Sequence, residues 1–340
     1  MSREAVELFT SMSRLVFLTQ QVDPGHPTLG VTAAKIRALA DRVDEVVVLA
    51  DHVTPGQLPS NCRVRLFGAP NQLLRGARFV AALNQELSPR PIAVVAHMVP
   101  LYAILAAPLT RPRHVPLLLW FTHWKVTRRL LLAERLATAV ITVDRRSFPL
   151  DRPKVVPIGH GIDMDAFACV DREPAERLRI VSLGRTSPAK GLETIARAAE
   201  LAGVDLELRG PSLTAEERAE AARLEALGIK VEPPLEHAEI PALLARKDVL
   251  VNNMREGALD KVVYEAAATC MPVLASNDGF ADVLPAELRF RRDDVDDLAA
   301  KLRALAGADR NAIGRALRAK VEERHSVEHW ADEVLAVARR

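Results

Sequence analysis

The chain has 340 residues, 49% of them apolar and only 4% aromatic, which gives room for two ordinary domain cores and favours helix-rich α/β structure. Its formal charge of +2 hides an asymmetry, with 20 Lys/Arg against 13 Asp/Glu in residues 1–170 and 26 against 31 in the rest. The longest apolar stretches, 99–109 and 115–121, are broken by prolines and too short to span a bilayer.

Short β-branched or leucine-rich runs alternate with amphipathic helical patterns along the first half. Glu4 and Glu7 precede an apolar run at 15–18, so the start reads as an ordinary first strand and not as a signal peptide. Strands are predicted at 15–18, 46–49, 92–96, 117–121 and 139–143, and helices at 32–41, 71–87 and 125–137. Arg75 and Arg78 share one predicted helix. Lys125, Arg128 and Arg129 open another beside Trp120 and Trp124. Such a mixture suits either an anionic membrane surface or a solvated helix face. No dense basic run or interleaved aromatic platform appears, so nucleic acid is not expected as a partner.

The pattern breaks at 167–177, a polar stretch containing Pro174, and then repeats. Strands are predicted at 179–183, 205–209, 249–251 and 272–275, with helices at 192–202, 215–227, 238–246 and 261–269. Two further helices, 295–306 and 311–323, precede a last amphipathic one at 327–340. Continuous apolar strands separated by helices imply parallel sheets covered on both faces. The expected organisation is a first domain at 1–170, a second at 171–325, and a terminal helix at 326–340. Each domain is doubly wound, with ligands at the carboxyl ends of its strands. Cys62, Cys169 and Cys270 are odd in number and scattered, which predicts no disulfide frame, no zinc spacing, and a reducing, cytoplasmic setting.

Chemistry concentrates between 181 and 276. Gly184-Arg185 leaves a strand and Lys190-Gly191 enters a helix. Free backbone N–H groups and the positive helix end favour an anion there, with Arg as a fork and Lys as a point charge. Taken alone, the two cations also fit a surface turn. Glu256 and Glu265 bracket the loop Gly257-Ala258-Leu259-Asp260 and the helix it enters. Glycine permits close approach to a ligand, and Glu265 suits a ribose diol. A helix cap and a surface carboxylate are the alternatives. The acidic run 293–297 precedes a helix and reads as charge complementing its dipole.

In order, "SLGRTSPAKGLETI", "LELRG" and "EGALDKVVYEAAATCMPVLAS" resemble the donor-binding domain of the retaining GT-B glycosyltransferases, family 4. In the first half, "HPTLGVTAAKIRALADRVDEVVVLA" is similar to that family's glycine loop and first helix, and "PIGHGIDMDAF" to the segment closing its N-terminal domain. The resemblance implies two Rossmann-like domains facing across a cleft, with the terminal helix crossing back onto the first domain. It implies UDP- or GDP-sugar as donor and a glycan, a lipid-linked molecule or a small metabolite as acceptor. Arg185 and Lys190 would hold the diphosphate in place of a metal or other cofactor, and Glu265 would grip the ribose. Glu256 and His123 would reach the transferred sugar. Gly184, Gly257, Ala258 and Gly30 would present backbone to the donor, with His97 and Trp124 on the acceptor side.

The chain departs from the family pattern in three places. Eight residues, not seven, separate the two glutamates, so either a bulge restores Glu256 or Asp260 takes part. Cys270 replaces a glycine at a position that often needs positive φ. His160 replaces an asparagine. A non-catalytic nucleotide-sugar binder and a nucleotide-sugar 2-epimerase are the alternative functions.

Overall fold

The computed structural model describes residues 12–25, 29–173 and 175–340. Glu4, Glu7, Pro174 and the residues 26–28 of the glycine-loop segment lie outside them. The first domain runs β1 (Arg14–Leu18), β2 (Gln21–Val22), α1 (Thr32–Ala40), β3 (Glu45–Ala50), β4 (His52–Val53), β5 (Cys62–Leu66), α2 (Gln72–Glu86), β6 (Ala93–His97), α3 (Pro100–Thr110), β7 (Leu117–Trp120), α4 (Arg128–Leu136), β8 (Ala139–Thr142) and β9 (Val155–Pro157). The second runs β10 (Arg179–Leu183), α5 (Leu192–Ala202), β11 (Asp205–Arg209), α6 (Ala215–Ala226), β12 (Val231–Glu232), α7 (Ile240–Ala245), β13 (Val249–Asn252), α8 (Lys261–Ala268), β14 (Val273–Ala275), α9 (Val295–Ala306) and α10 (Arg310–His325). The last helix is α11 (Val327–Ala338).

All described strand pairs are parallel. Strand order is β5-β3-β1-β6-β7-β8-β9 in the first domain and β12-β11-β10-β13-β14 in the second. Each order reverses once, between β1 and β6 and between β10 and β13. In a doubly wound sheet a ligand crevice opens at that reversal, beyond the carboxyl ends of the strands.

The alternation of side chains along the first sheet separates two layers. Val16, Leu18, Val47, Leu49, Val94 and Leu119 pack with Phe79, Tyr102 and Leu130 from α2, α3 and α4. Leu15, Phe17, Val46, Val48 and Trp120 point the other way, toward α1 and α11, into a core that continues through the second domain. Asn71 and Thr127 cap α2 and α4 by accepting from the backbone N–H of Leu74 and Leu130.

The chain crosses between domains beside Ile162, which bridges to Ser326. Ser326 caps α11, and α11 packs back on α1. Buried Trp330 meets Trp120 edge-on at 5.5 Å. Such a pair contributes about 0.5–1.5 kcal/mol beyond its burial, and Trp330→Ala would cost about 3–5 kcal/mol.

One sequence expectation needs correction. Cys169 and Cys270 form a disulfide, although they lie 101 positions apart in the sequence. The turn after α8 puts Cys270 at φ +58 and so brings it to the interdomain connection. Only the fold makes these cysteines neighbours, and their pairing removes the cysteine argument for a reducing compartment. Cys62 is free. Among the described residues no helix is long and apolar enough to cross a membrane.

Candidate active site

The second domain's reversal point brings together the loops that follow β10 and β13. After β10 the chain turns through Gly184, at φ +129, and enters α5 through a short 3-10 turn ending at Lys190. A Cβ on Gly184 would lie 2.3 Å from Lys190 Nζ, so the lysine occupies space that only glycine leaves. Lys190 is 6% exposed. Its ammonium donates to the Leu183 carbonyl at 2.9 Å and to Asp260 Oδ2 at 2.6 Å. Asp260 also accepts from Asn252 Nδ2 at 2.8 Å. Asp260 therefore lies against the lysine. Arg185 is 57% exposed, with its guanidinium 3.1 Å from Glu217.

Glu256 is exposed and accepts from the Asp278 backbone N–H at 2.9 Å. Gly257 follows at φ +80, and a Cβ there would come within 3.9 Å of Trp124 Cβ in the first domain. The Ala258 carbonyl accepts from Asn277 Nδ2 at 3.0 Å, which pins the loop to the end of β14.

Glu265 is buried on α8. Its Oε1 is 2.7 Å from His237 Nε2 and 2.6 Å from Lys261 Nζ. Burial pushes the carboxyl up, but the Lys261 charge and the His237 contact outweigh it and hold the pKa at about 2. Glu265 is thus ionised at neutral pH.

The facing groups come from strand ends of the first domain. His123 follows β7 and stacks on Trp124, with ring centres 5.4 Å apart. Its Nδ1 accepts from the Lys125 backbone N–H at 3.0 Å, so the neutral ring carries its proton on Nε2. Burial, then the positive charges of Arg185 and Lys125, lower its pKa. The Arg185 charge thus reaches His123 from the other domain. Gly30 lies in the turn before α1 and His97 ends β6, flanking the first domain's reversal point. His97 is buried against Phe17, and burial followed by the Lys35 charge holds its pKa well below the usual range. Asp294 caps α9 through the Asp297 N–H at 2.9 Å, in keeping with the helix-dipole reading of the acidic run.

Sequence reasoning passed over Lys35, His237 and Lys261. Lys35 is 1% exposed, with its ammonium 4.1 Å from the Trp120 ring centre and 4.8 Å from that of Trp330. Neither indole is near it in sequence. Lys261 was legible, standing four residues before Glu265 on one helix.

A family model described as glycosyl transferase-like matches residues 185–336. A search of the curated proteins found no match. Among solved structures, the chain is similar to sucrose-phosphate synthase from Thermosynechococcus elongatus at 16% identity and TM-score 0.73, covering 96% of this chain and 98% of that one. It is similar to HepE from Anabaena in complex with UDP at 18% identity and TM-score 0.70, covering 95% and 98%. AviGT4, a glycosyltransferase involved in avilamycin A biosynthesis, matches at 17% identity and TM-score 0.69, covering 96% and 97%. At these identities the structures speak for the fold alone. The chain has the GT-B fold, two parallel-sheet domains, and the region that the family model matches begins at Arg185.

Proposed function

We propose that the chain is a retaining, metal-independent glycosyltransferase that moves a sugar from a nucleoside diphosphate sugar to a hydroxyl acceptor. The observation that carries this reading is the buried Lys190 ammonium, with Arg185 on the same loop, at the reversal point of a domain whose Gly257 loop meets Trp124 of the first domain. The reaction breaks the anomeric C–O bond to the diphosphate and forms one to the acceptor oxygen, which gives up its proton, and the departing diphosphate accumulates negative charge. Fixed cations aimed at that charge stabilise it without a proton transfer or large reorganisation. A diphosphate would compete with Asp260 for Lys190, while Arg185 supplies a two-pronged donor. The neutral His123 offers Nε2–H to a sugar hydroxyl. Ionised Glu265 offers acceptor capacity to a ribose diol, steadied by Lys261 and His237. The loop from Glu256 to Ala258 lies against Trp124, where the sugar would sit between domains.

The structures of HepE were obtained with UDP and with UDP and glucose, so UDP is the first base to try, with GDP beside it. A thermal-shift screen with the nucleoside diphosphates names the base. Turnover of the matching labelled sugar donor, with retained anomeric configuration and in the presence of a chelator, then tests the chemistry. Donor binding without transfer or hydrolysis over a broad acceptor panel would leave a binding protein. Epimerisation of donor alone would make it an epimerase.

A further inference from the structure

The charge surplus of the first domain falls within one segment of it, and five of that segment's cations, Arg75, Arg78, Lys125, Arg128 and Arg129, lie within or just before the first two turns of a helix. Residues 68–136 hold nine Lys or Arg and two Glu. Both carboxylates are buried, Glu86 against Arg63 and Arg65 and Glu134 beside Lys154. The helices of this segment, α2, α3 and α4, form one layer, in which α3 packs on both neighbours. Arg78, Lys125, Arg128 and Arg129 are exposed on it, and Arg75 is held only loosely, 3.4 Å from Asp51.

Apolar side chains stand among these cations. Leu73 is 89% exposed, and Leu74, Leu101, Val126, Leu131 and Leu132 are each 40% exposed or more. They do not serve the core, which this layer fills from its other side with Phe79, Leu83, Tyr102 and Leu130. Scattered exposed leucines are ordinary, but these cluster at the starts of three adjacent helices. Helices that follow parallel strands start at the carboxyl edge of the sheet, so the apolar rim shares that edge with His97 and Trp124.

We propose that this face docks on an anionic lipid bilayer. Cations would meet the lipid phosphates while the leucines and Val126 enter the boundary between headgroup and acyl chain. A nucleic acid or an acidic protein surface would use the cations but leave the apolar rim in water. Docking in this orientation sets the acceptor edge of the first domain at the membrane surface. If the transfer reading holds, the acceptor hydroxyl is carried by a membrane-anchored molecule. The docking itself does not depend on that reading.

The test is flotation of the full chain with vesicles of phosphatidylcholine, alone or mixed with phosphatidylglycerol. Low salt is compared with about 1 M, where the Debye length shrinks to roughly 3 Å. The chain should float with the anionic vesicles only, and high salt should release it. Replacing Arg75, Arg78, Arg128 and Arg129 together by Gln should lower the partition coefficient at least about tenfold. The triple change Leu73→Ser, Val126→Ser and Leu132→Ser should lower it severalfold, and both variants should melt like the parent. UDP binding, followed separately on the same samples, keeps the donor site's fate distinct. No flotation by the parent, equal flotation with neutral vesicles, or an unaffected Gln variant would overturn the proposal. So would duplex DNA binding that ignores the Ser variant, without any vesicle binding.

Discussion

Arg255 and Trp124 meet across the domain boundary, with the guanidinium carbon 4.6 Å from the ring centre. Arg255 belongs to the loop that carries Glu256 and Gly257, and Trp124 adjoins His123. One contact thus couples the sugar-side loop of the second domain to the first. Nearby, Arg146 Nη1 donates to the Asp278 carbonyl at 2.7 Å, tying the same two regions together.

Trp124→Ala and Arg255→Ala should each weaken donor use, raising KM for donor more than they change melting temperature. A partly exposed cation–π contact contributes about 0.5–1 kcal/mol, so each loss is a few-fold. The double variant should lose less than the sum of the singles, by roughly that coupling. Strict additivity in donor titrations would mean the contact does not seat the loop.

Lys190→Ala should lower turnover by about 10²–10³, the usual cost of removing a donor from a site of developing charge. It also leaves Asp260 beside Asn252 without its cation. Gly184→Ala should approach the same defect by a different route, because its Cβ would strike the ammonium at a backbone angle that side chains rarely adopt. Lys190→Arg should not rescue activity, since a planar fork cannot occupy the space over Gly184. Near-parental rates in these variants would remove the basis of the diphosphate assignment.

The Glu265 carboxyl has a folded pKa of about 2 against an ordinary value of 4.5. A depressed acid stabilises the fold above its unfolded pKa, and that contribution disappears as pH falls toward the folded value. The amount is on the order of 3 kcal/mol. Glu265→Gln should therefore destabilise at pH 7 and flatten the loss of stability between pH 4.5 and 2. Urea melts of both proteins across that window check it. Parallel acid curves would show that the carboxylate is not held by Lys261 and His237.

The Lys35 amine is buried between two indole rings with a pKa held well below 10.5, first by burial and then by the Lys261 charge. The unfolded chain binds this proton more readily, so the group lowers stability at neutral pH and less so as pH rises toward 10.5. Lys35→Met keeps the chain length and removes the desolvation cost, against two cation–π contacts of about 2 kcal/mol or less. Stability at pH 7 should stay level or rise, by about 1–2 kcal/mol in urea melts. A clear fall would show that the rings return more than desolvation costs.

The Cys169–Cys270 bridge predicts one reactive thiol in the native chain, and that a slow one. Burial and then the Asp41 charge push the Cys62 thiol up to about 11. Alkylation mass spectrometry should find one modified cysteine after unfolding without reductant and three after reduction. Closing a loop of that length is worth about 4–5 kcal/mol in the chain-entropy account, so reduction should lower the melting temperature markedly. Three thiols before reduction would show the bridge absent from the purified chain.

Most strands and helices were legible because each strand is a short apolar run bounded by turn residues. The exceptions have physical causes. α3 carries Pro100 and Pro108 in a nearly unbroken apolar stretch, which hides a helical period because it is covered by α2 and α4 as well as the sheet. β5 is an edge strand whose Arg63 and Arg65 serve Glu45 and Glu86, so charge masks it. β9 and β12 are too short to leave a pattern. The left-handed turn at Cys270 was foreseen from the glycine that the family resemblance puts at that position, whereas its bonding partner was not.

Local order along the chain determined the doubly wound architecture and the places where cations and carboxylates meet helix starts. Those features depend on neighbours within a turn or two, and side-chain period and turn chemistry record them directly. Tertiary structure alone decided what each charge touches: Asp260 on Lys190, His237 with Lys261 on Glu265, and two indoles on Lys35. The physical reason is that charge is balanced through space. The residues that balance it lie on different loops and domains, and no period in the sequence links them.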